Sequence, residues 1–308
     1  MTQKKFNILV LDGGGSKGVY TIGVLKELEK KLGGKLYQHF DLIYGTSTGS
    51  IIASLIALGK DVSTIENLYL ELIPKIMKGA SKSKNLKAEA DKIFEDKKFD
   101  SFKTNIGIVA TNFDNQKPLI FKSNINQSHG MKHSFEPGFG CSISDAIQAS
   151  CAAYPIFDVK RITTENQGAI DTIDGGFIAN NATLFALIDA HKGIKIEAKD
   201  IQVLSIGVGR FIEKPISWKL QFMGRLKMVK FIEKVLSANA NTNEILPKLL
   251  FPSLNLIRIN ETFNQPEYGT NMIETNKNKL EKLIQLGRSS FAKFEKEIDQ
   301  LFLSEVYP

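Results

Sequence analysis

One five-residue stretch, Gly45-Thr46-Ser47-Thr48-Gly49, restricts what this chain can fold into more than any other. An apolar run, residues 40–44, leads into it, and a second apolar run, residues 50–58, leads away. The pattern predicts a strand, a tight turn and a helix, with a serine at the apex of a G-x-S-x-G. Gly45 and Gly49 lack the Cβ atoms that would clash where a strand doubles back into a helix. Such a turn pushes the Ser47 hydroxyl into the open, above the positive end of the following helix dipole. Small residues in a turn also make ordinary surface loops. The strand before and the helix after are what favour a nucleophile.

A second glycine-rich turn precedes the first. Residues 6–11 read as a buried strand and end in Asp12-Gly13-Gly14-Gly15-Ser16-Lys17-Gly18. Val24, Leu25, Leu28 and Leu32 then recur at helical spacing until Gly33-Gly34 stops the helix. Unpaired N–H groups therefore converge where the loop enters the helix, and such a place favours an anion. A P-loop would need a Lys followed by Ser or Thr after its last glycine, whereas here Lys17 precedes Gly18. The dinucleotide fingerprint matches literally at Gly13, Gly15 and Gly18, but the acidic residue that should close the second strand is missing. Asp41 opens that strand instead. The third use is an oxyanion hole, with Gly13, Gly14, Gly15 and Ser16 as the donor region, and the neighbouring serine turn favours it.

A third turn follows residues 169–173, where Asp174 precedes Gly175-Gly176. By residue type alone, Asp-Gly-Gly is a turn. Placed at a strand end, its carboxylate could also reach a serine and take its proton. Asp171 competes but lacks the glycines. His191, the sole histidine after Asp174, lies beside Lys192-Gly193 and suits a helix C-terminus better than a triad.

Taken in order, the Asp-Gly-Gly-Gly-x-Lys-Gly loop, the Gly-Thr-Ser-Thr-Gly turn and the later Asp-Gly-Gly resemble the patatin-like phospholipases. The resemblance is specific over residues 6–60 and 141–210. It implies an α/β fold of three layers, α/β/α, around a mostly parallel sheet, and lipid acyl hydrolysis by a Ser–Asp dyad. It further implies Ser47 as nucleophile, Asp174 as base, and Gly14 and Gly15 as oxyanion donors. Lys17, Gly18, Gly45, Gly49, Gly175 and Gly176 are the supporting motif positions. Some bacterial members of that family attack membranes as toxins or defence effectors and stay inactive until a protein or a small-molecule signal switches them on. That raises the same expectation here. The rival readings are a serine esterase or thioesterase without lipolytic activity, and a nucleotide-binding protein that uses the Gly13–Gly18 loop.

The rest of the chain bounds the partners. A net charge of +7 over 308 residues suits an anionic surface, and no recognisable nucleic-acid-binding module accompanies it. Residues 61–102 are rich in lysine and read as a solvated loop between helices, or as a membrane-facing flap. Residues 214–236 interleave Trp218, Phe222 and Phe231 with cations, as a packed amphipathic helix or an interfacial one would. Residues 239–243 read as an Asn-rich loop. His129 and His133 have helix-type metal spacing but sit among Ser, Gly and Pro, so neither a metal nor a cofactor is expected. Two cysteines, ten residues apart, fit a reducing compartment rather than a disulfide framework. No window has the length of a membrane span, which predicts a cytoplasmic enzyme peripheral at the membrane. Without an internal repeat or a Pro/Ser linker, residues 1–308 read as one domain. Its motif-bearing core is residues 6–210 and its extension residues 211–308.

Overall fold

The computed structural model describes residues 5–130, 132–212 and 224–303, with the side chains of 224–227 left out. Along the chain run β1 (Phe6–Leu11), α1 (Gly18–Leu32), β2 (Leu42–Thr46), α2 (Thr48–Ala57), α3 (Val62–Met77) and α4 (Lys82–Phe94). Next come β3 (Asn105–Asn112), β4 (Lys117–Lys122), α5 (Ile143–Ser150), β5 (Lys160–Thr164), β6 (Gly168–Asp174), α6 (Gly176–Ala179) and α7 (Thr183–Ile188). The last elements are β7 (Ile201–Ile206), β8 (Arg210–Phe211), α8 (Gly224–Leu250), β9 (Asn255–Ile259), β10 (Thr262–Phe263) and α9 (Lys277–Ile298).

The main sheet has the order β5-β6-β3-β2-β1-β7-β9, with β4 also paired to β3. Strands β3, β2, β1, β7 and β9 are mutually parallel, and β4, β5 and β6 supply the antiparallel pairs. Parallel strands covered on both faces read as unbroken apolar runs, as β1 and β7 do. Along β1 the pleat sends Leu9 and Leu11 to one core, with residues of α1, α2, α3 and α9. Ile8 and Val10 go to the other, against Ala179, Ala182 and Ala186 of the α6–α7 region. The architecture is therefore the three-layer α/β/α arrangement that the resemblance implies.

Strand register brings the serine turn and the Asp-Gly-Gly turn together. β2 pairs with residues 105–109 of β3 and β4 with residues 107–112, so these two strands lie on opposite sides of β3. β6 pairs with residues 110–112, overlapping β4, and must share the side of β2. Thr46 faces Val109 and Asp174 faces the next residue, Ala110. β2 and β6 thus meet end to end, which sets Ser47 beside Asp174 across no intervening strand.

Three expectations about local structure change. The lysine-rich region is two helices, α3 and α4, joined by residues 78–81, because Leu86, Ala90 and Phe94 give α4 a buried stripe beneath its lysines. The Asn-rich stretch 239–243 lies inside α8, where Ala240 and Asn243 are buried and Asn239 is hydrogen-bonded to the α6 region. The helix end expected at His191 is a π-helical turn, Asp189–Ile194, that follows α7. Trp218 and Phe222 lie outside the described residues.

Candidate active site

The serine turn forms from local sterics. Ser47 takes φ 51° and ψ −123°, a conformation that costs a non-glycine residue about 1–3 kcal/mol. Its surroundings hold it there. A Cβ on Gly49 would come within 2.2 Å of the Leu11 carbonyl oxygen, so α2 can cross the end of β1 only with glycine at that position. Ser47 N–H donates to Ser150 Oγ at 2.8 Å, and Ser150 Oγ donates to the Val109 carbonyl at 2.6 Å. Ser150 ends α5, so the small-residue helix serves as a backing plate for the turn.

Ser47 Oγ donates to Asp174 Oδ2 at 2.7 Å. The other carboxylate oxygen, Oδ1, accepts the Gly176 N–H at 2.7 Å, fixing the plane of the carboxyl group. A Cβ on Gly175 would lie 2.0 Å from the Val109 carbonyl oxygen, which explains the first glycine after the aspartate. Both partners are buried, Ser47 at 8% exposure and Asp174 at 1%. Burial pushes the Asp174 carboxyl up to about 6, against the Ser47 hydroxyl and the Gly176 N–H, which favour its anion. Such a group is chiefly ionised at neutral pH yet basic enough to accept a proton. Asp171 takes no part in this pair; it makes a two-point surface ion pair with Arg161 at 2.7 and 2.9 Å. His191 Nδ1 is 3.0 Å from the Ile196 carbonyl, within the π-helical turn region.

The glycine loop between β1 and α1 passes close to the serine: a Cβ on Gly13 would meet Ser47 Cβ at 3.1 Å. Its backbone donors are not equivalent. Gly13 N–H donates to the Asn180 carbonyl at 3.1 Å and Ser16 N–H to the Met272 carbonyl at 2.9 Å. Between them, the Gly14 and Gly15 N–H groups have no acceptor among the described residues. Lys17 and Gly18 continue into the start of α1, and Tyr69 of α3 donates to the Gly15 carbonyl at 3.2 Å. Beneath Ser47 lies a narrow apolar cavity of about 40 Å³ between α3 and the end of α5. Leu72, Ile76, Leu86, Cys151, Phe157 and Met272 are among its walls. Among the described residues, no cluster of three His, Cys, Asp or Glu side chains could hold a metal.

Sequence reasoning missed Ser150, Asn180, Met272 and Tyr69. Ser150 and Asn180 lie near the motifs, but nothing in their local pattern distinguishes them from capping or packing residues. Met272 acts through its backbone, which leaves no residue-type signal.

With sheet, serine turn and loop in place, comparison with known proteins becomes specific. The family model described as patatin-like phospholipase matches residues 9–187. The chain belongs to that family and is a lipid acyl hydrolase. Over 299 residues it is 44% identical to a cUMP-AMP-activated phospholipase of Escherichia coli, covering 96% of this chain and 93% of that protein. It is 28% identical over 229 residues to a cGAMP-activated phospholipase of E. coli strain TW11681, covering 66% of this chain and 62% of that one. Among solved structures, VipD of Legionella pneumophila shares the fold with a TM-score of 0.50 at 11% identity, over 96% of this chain and 67% of that one.

Proposed function

We propose that this single-domain chain is a phospholipase A-type enzyme that cleaves acyl esters of membrane glycerophospholipids through a Ser47–Asp174 dyad. The observation that carries this reading is the 2.7 Å hydrogen bond from Ser47 Oγ to Asp174 Oδ2 within the strained turn. Asp174 accepts the serine proton as Ser47 Oγ attacks the ester carbonyl. The Gly14 and Gly15 N–H groups receive the oxyanion, since Gly13 and Ser16 already spend theirs on Asn180 and Met272. The proton passes from Asp174 to the departing lysolipid oxygen. Asp174 then deprotonates a water that hydrolyses the acyl-enzyme, releasing the fatty acid and restoring Ser47.

Activation by a cyclic nucleotide belongs to this reading, since relatives are named cUMP-AMP-activated and cGAMP-activated phospholipases. The cavity beneath Ser47 fits this reading: α3 supplies Leu72, Ile73, Ile76 and Met77 to its wall, so a shift of α3 would change the space open to an acyl chain. Access to the membrane follows from topology. Ser47 sits at the carboxyl edge of the parallel strands. Phe113, just past the carboxyl end of β3, and Tyr154 paired with it are exposed, as are Ile212 and, on α8, Met228 and Phe231. These residues would meet lipid as a peripheral surface. Among the described residues, no helix is long and apolar enough to cross a membrane. The β9 strand joins the same sheet as β1, which supports treating the chain as one domain.

Fatty-acid release from phospholipid vesicles, with and without cUMP-AMP, tests the reading. Release that needs both the nucleotide and Ser47 supports it. Turnover of soluble esters alone, with intact vesicles untouched, selects the non-lipolytic esterase. Tight nucleotide binding with no fluorophosphonate labelling of Ser47 under any condition selects the nucleotide-binding protein.

A further inference from the structure

The family model ends at residue 187, yet the glycine loop is held mostly by residues beyond it. At the loop's entrance, the Asp12 carboxylate is gripped by both terminal nitrogens of Arg258 on β9, at 2.8 and 2.5 Å, and both side chains are buried. Arg258 Nη1 also donates to Ser205 Oγ at 2.9 Å, and its Nε lies 3.4 Å from Glu244 of α8. At Gly13, the carbonyl accepts Asn180 Nδ2 at 3.2 Å. Asn180 is itself held by Asn239 of α8, whose Oδ1 accepts the Asn180 N–H at 2.8 Å and whose Nδ2 donates to the Ile178 carbonyl at 2.8 Å. At the exit, the Met272 carbonyl takes the Ser16 N–H, and the Met272 N–H donates to Glu233 of α8 at 2.5 Å.

Each connection ends on one helix. Glu233, Asn239 and Glu244 reach from α8 to the segments gripping Ser16, Gly13 and Asp12, the residues that flank Gly14 and Gly15. We propose that α8 is a three-point clamp that positions the oxyanion donors, with Asn239 and Arg258 as its decisive positioning residues. The proposal rests on the dyad mechanism and deepens it, because it assigns the geometry of the oxyanion hole to the C-terminal third of the chain.

Physical reasoning separates this role from mere stability. A buried ion pair such as Asp12–Arg258 contributes little net stability over an apolar pair of similar volume, because both charges are desolvated. What an apolar pair cannot reproduce is direction. Two parallel hydrogen bonds fix the plane of the Asp12 carboxylate, and with it the path of the chain into Gly13. Asn239 bonds through both ends of its amide and so sets the height of the Asn180 backbone. A donor displaced by a fraction of an ångström still forms its hydrogen bond to the ground-state carbonyl, but poorly to the oxyanion.

The test is the rate at which a fluorophosphonate phosphonylates Ser47, measured on the full chain with cUMP-AMP present. This reaction makes the same oxyanion demand without needing a vesicle. Asn239→Ala, Arg258→Lys and Arg258→Met are compared with Val229→Ala, a buried α8 residue facing the core. Labelling by Asn239→Ala and both Arg258 variants should slow about 10- to 100-fold, less than the roughly 10²–10³ lost with a whole donor. On a soluble ester, kcat should fall with KM unchanged, and the acid limb set by Asp174 should stay in place. Val229→Ala should lower the melting temperature and leave labelling of the folded protein intact. Arg258→Lys keeps the charge, so slow labelling by it attributes the effect to two-point geometry. Wild-type labelling rates in folded Asn239→Ala and Arg258→Lys would overturn the clamp alone. No labelling in wild type would overturn the dyad reading, and the clamp with it.

Discussion

In the proposed mechanism the serine turn and the glycine loop serve one reaction, yet they are held in opposite ways. The serine turn is fixed within a short span of chain: β2 leads in, α2 leads out, and Gly49 lets α2 cross the end of β1. Its distant references, Ser150 and Asp174, arrive through the end of α5 and through strand register on β3. The glycine loop begins and ends with bonds to residues far along the chain, Arg258 and Met272. The nucleophile is therefore built into the core of the fold. The proposed oxyanion donors depend, through the clamp, on how α8 is seated, and under the proposed activation that is the part a signal would change.

The largest expected effect falls on the self-contained half. Ser47→Ala should remove activity by a factor on the order of 10⁴ or more, and Asp174→Asn by a comparable factor, as for residues that act as a catalytic unit. Activator-dependent release of fatty acid checks both. The two variants should bind vesicles and cUMP-AMP like wild type, because neither touches the surface or the loop tethers. An Asp174→Asn variant with more than a tenth of wild-type turnover would remove Asp174 as the base.

The next effect distinguishes packing from hydrogen bonding. Gly49→Ala forces a Cβ to 2.2 Å from the Leu11 carbonyl oxygen, and backbone rather than a mobile side chain stands in the way. A loss of about 1–3 kcal/mol in denaturant unfolding is expected, the range for an overpacked site. Activity should be lost together with stability, because the turn and the fold are the same structure. The clamp variants should show the reverse pattern, with activity falling further than stability.

How much of this the sequence carried follows the same division. Ser47, Gly45 and Gly49 announced themselves because a strand, a turn and a helix lie side by side in the chain, each with its own periodicity. Asp174 was ambiguous on residue type. It became the partner only through the order of the three motifs, and the register between β6 and β3 supplies the physical reason. Arg258 and Asn239 gave no signal at all. One sits in a strand of ordinary appearance, and the other in an Asn-rich stretch that reads as a loop. Helix α8 forms there because its buried face, including Val229, Ile232, Leu236 and Ala240, outweighs the weak propensity of the asparagines. Asn239 then uses its amide on the α6 region rather than on its own backbone.

A pH series sharpens the comparison further. Asp174 in the folded chain sits near 6, raised by burial from its ordinary 3.8. Catalysis needs the anion, so kcat/KM should rise with pH through about 6 and level off above it. Stability runs the other way. The folded state binds the Asp174 proton more tightly than the unfolded chain does. That contribution is fully present below pH 4 and is lost as pH rises through 6, to the extent of about 3 kcal/mol. Asp174→Asn should therefore be inactive yet at least as stable as wild type at pH 8. An acid limb that persists unchanged in a residually active Asp174→Asn variant would assign the titration elsewhere.

The smallest effect concerns the surface. Phe113 and Tyr154 pair with ring centroids 6.2 Å apart past the end of β3, and Phe231 of α8 is 64% exposed. Neither group touches the dyad or the loop tethers. Phe113→Asp and Phe231→Asp should each weaken sedimentation with anionic vesicles several-fold, by removing apolar insertion and adding charge repulsion. Fluorophosphonate labelling in solution should stay at the wild-type rate. If both variants bind vesicles normally, lipid meets another face of the molecule, and the carboxyl edge is only where the chemistry opens. If Phe231→Asp alone slows labelling, α8 responds to what happens on its outer face. The surface and the clamp would then be one device, seen from its two sides.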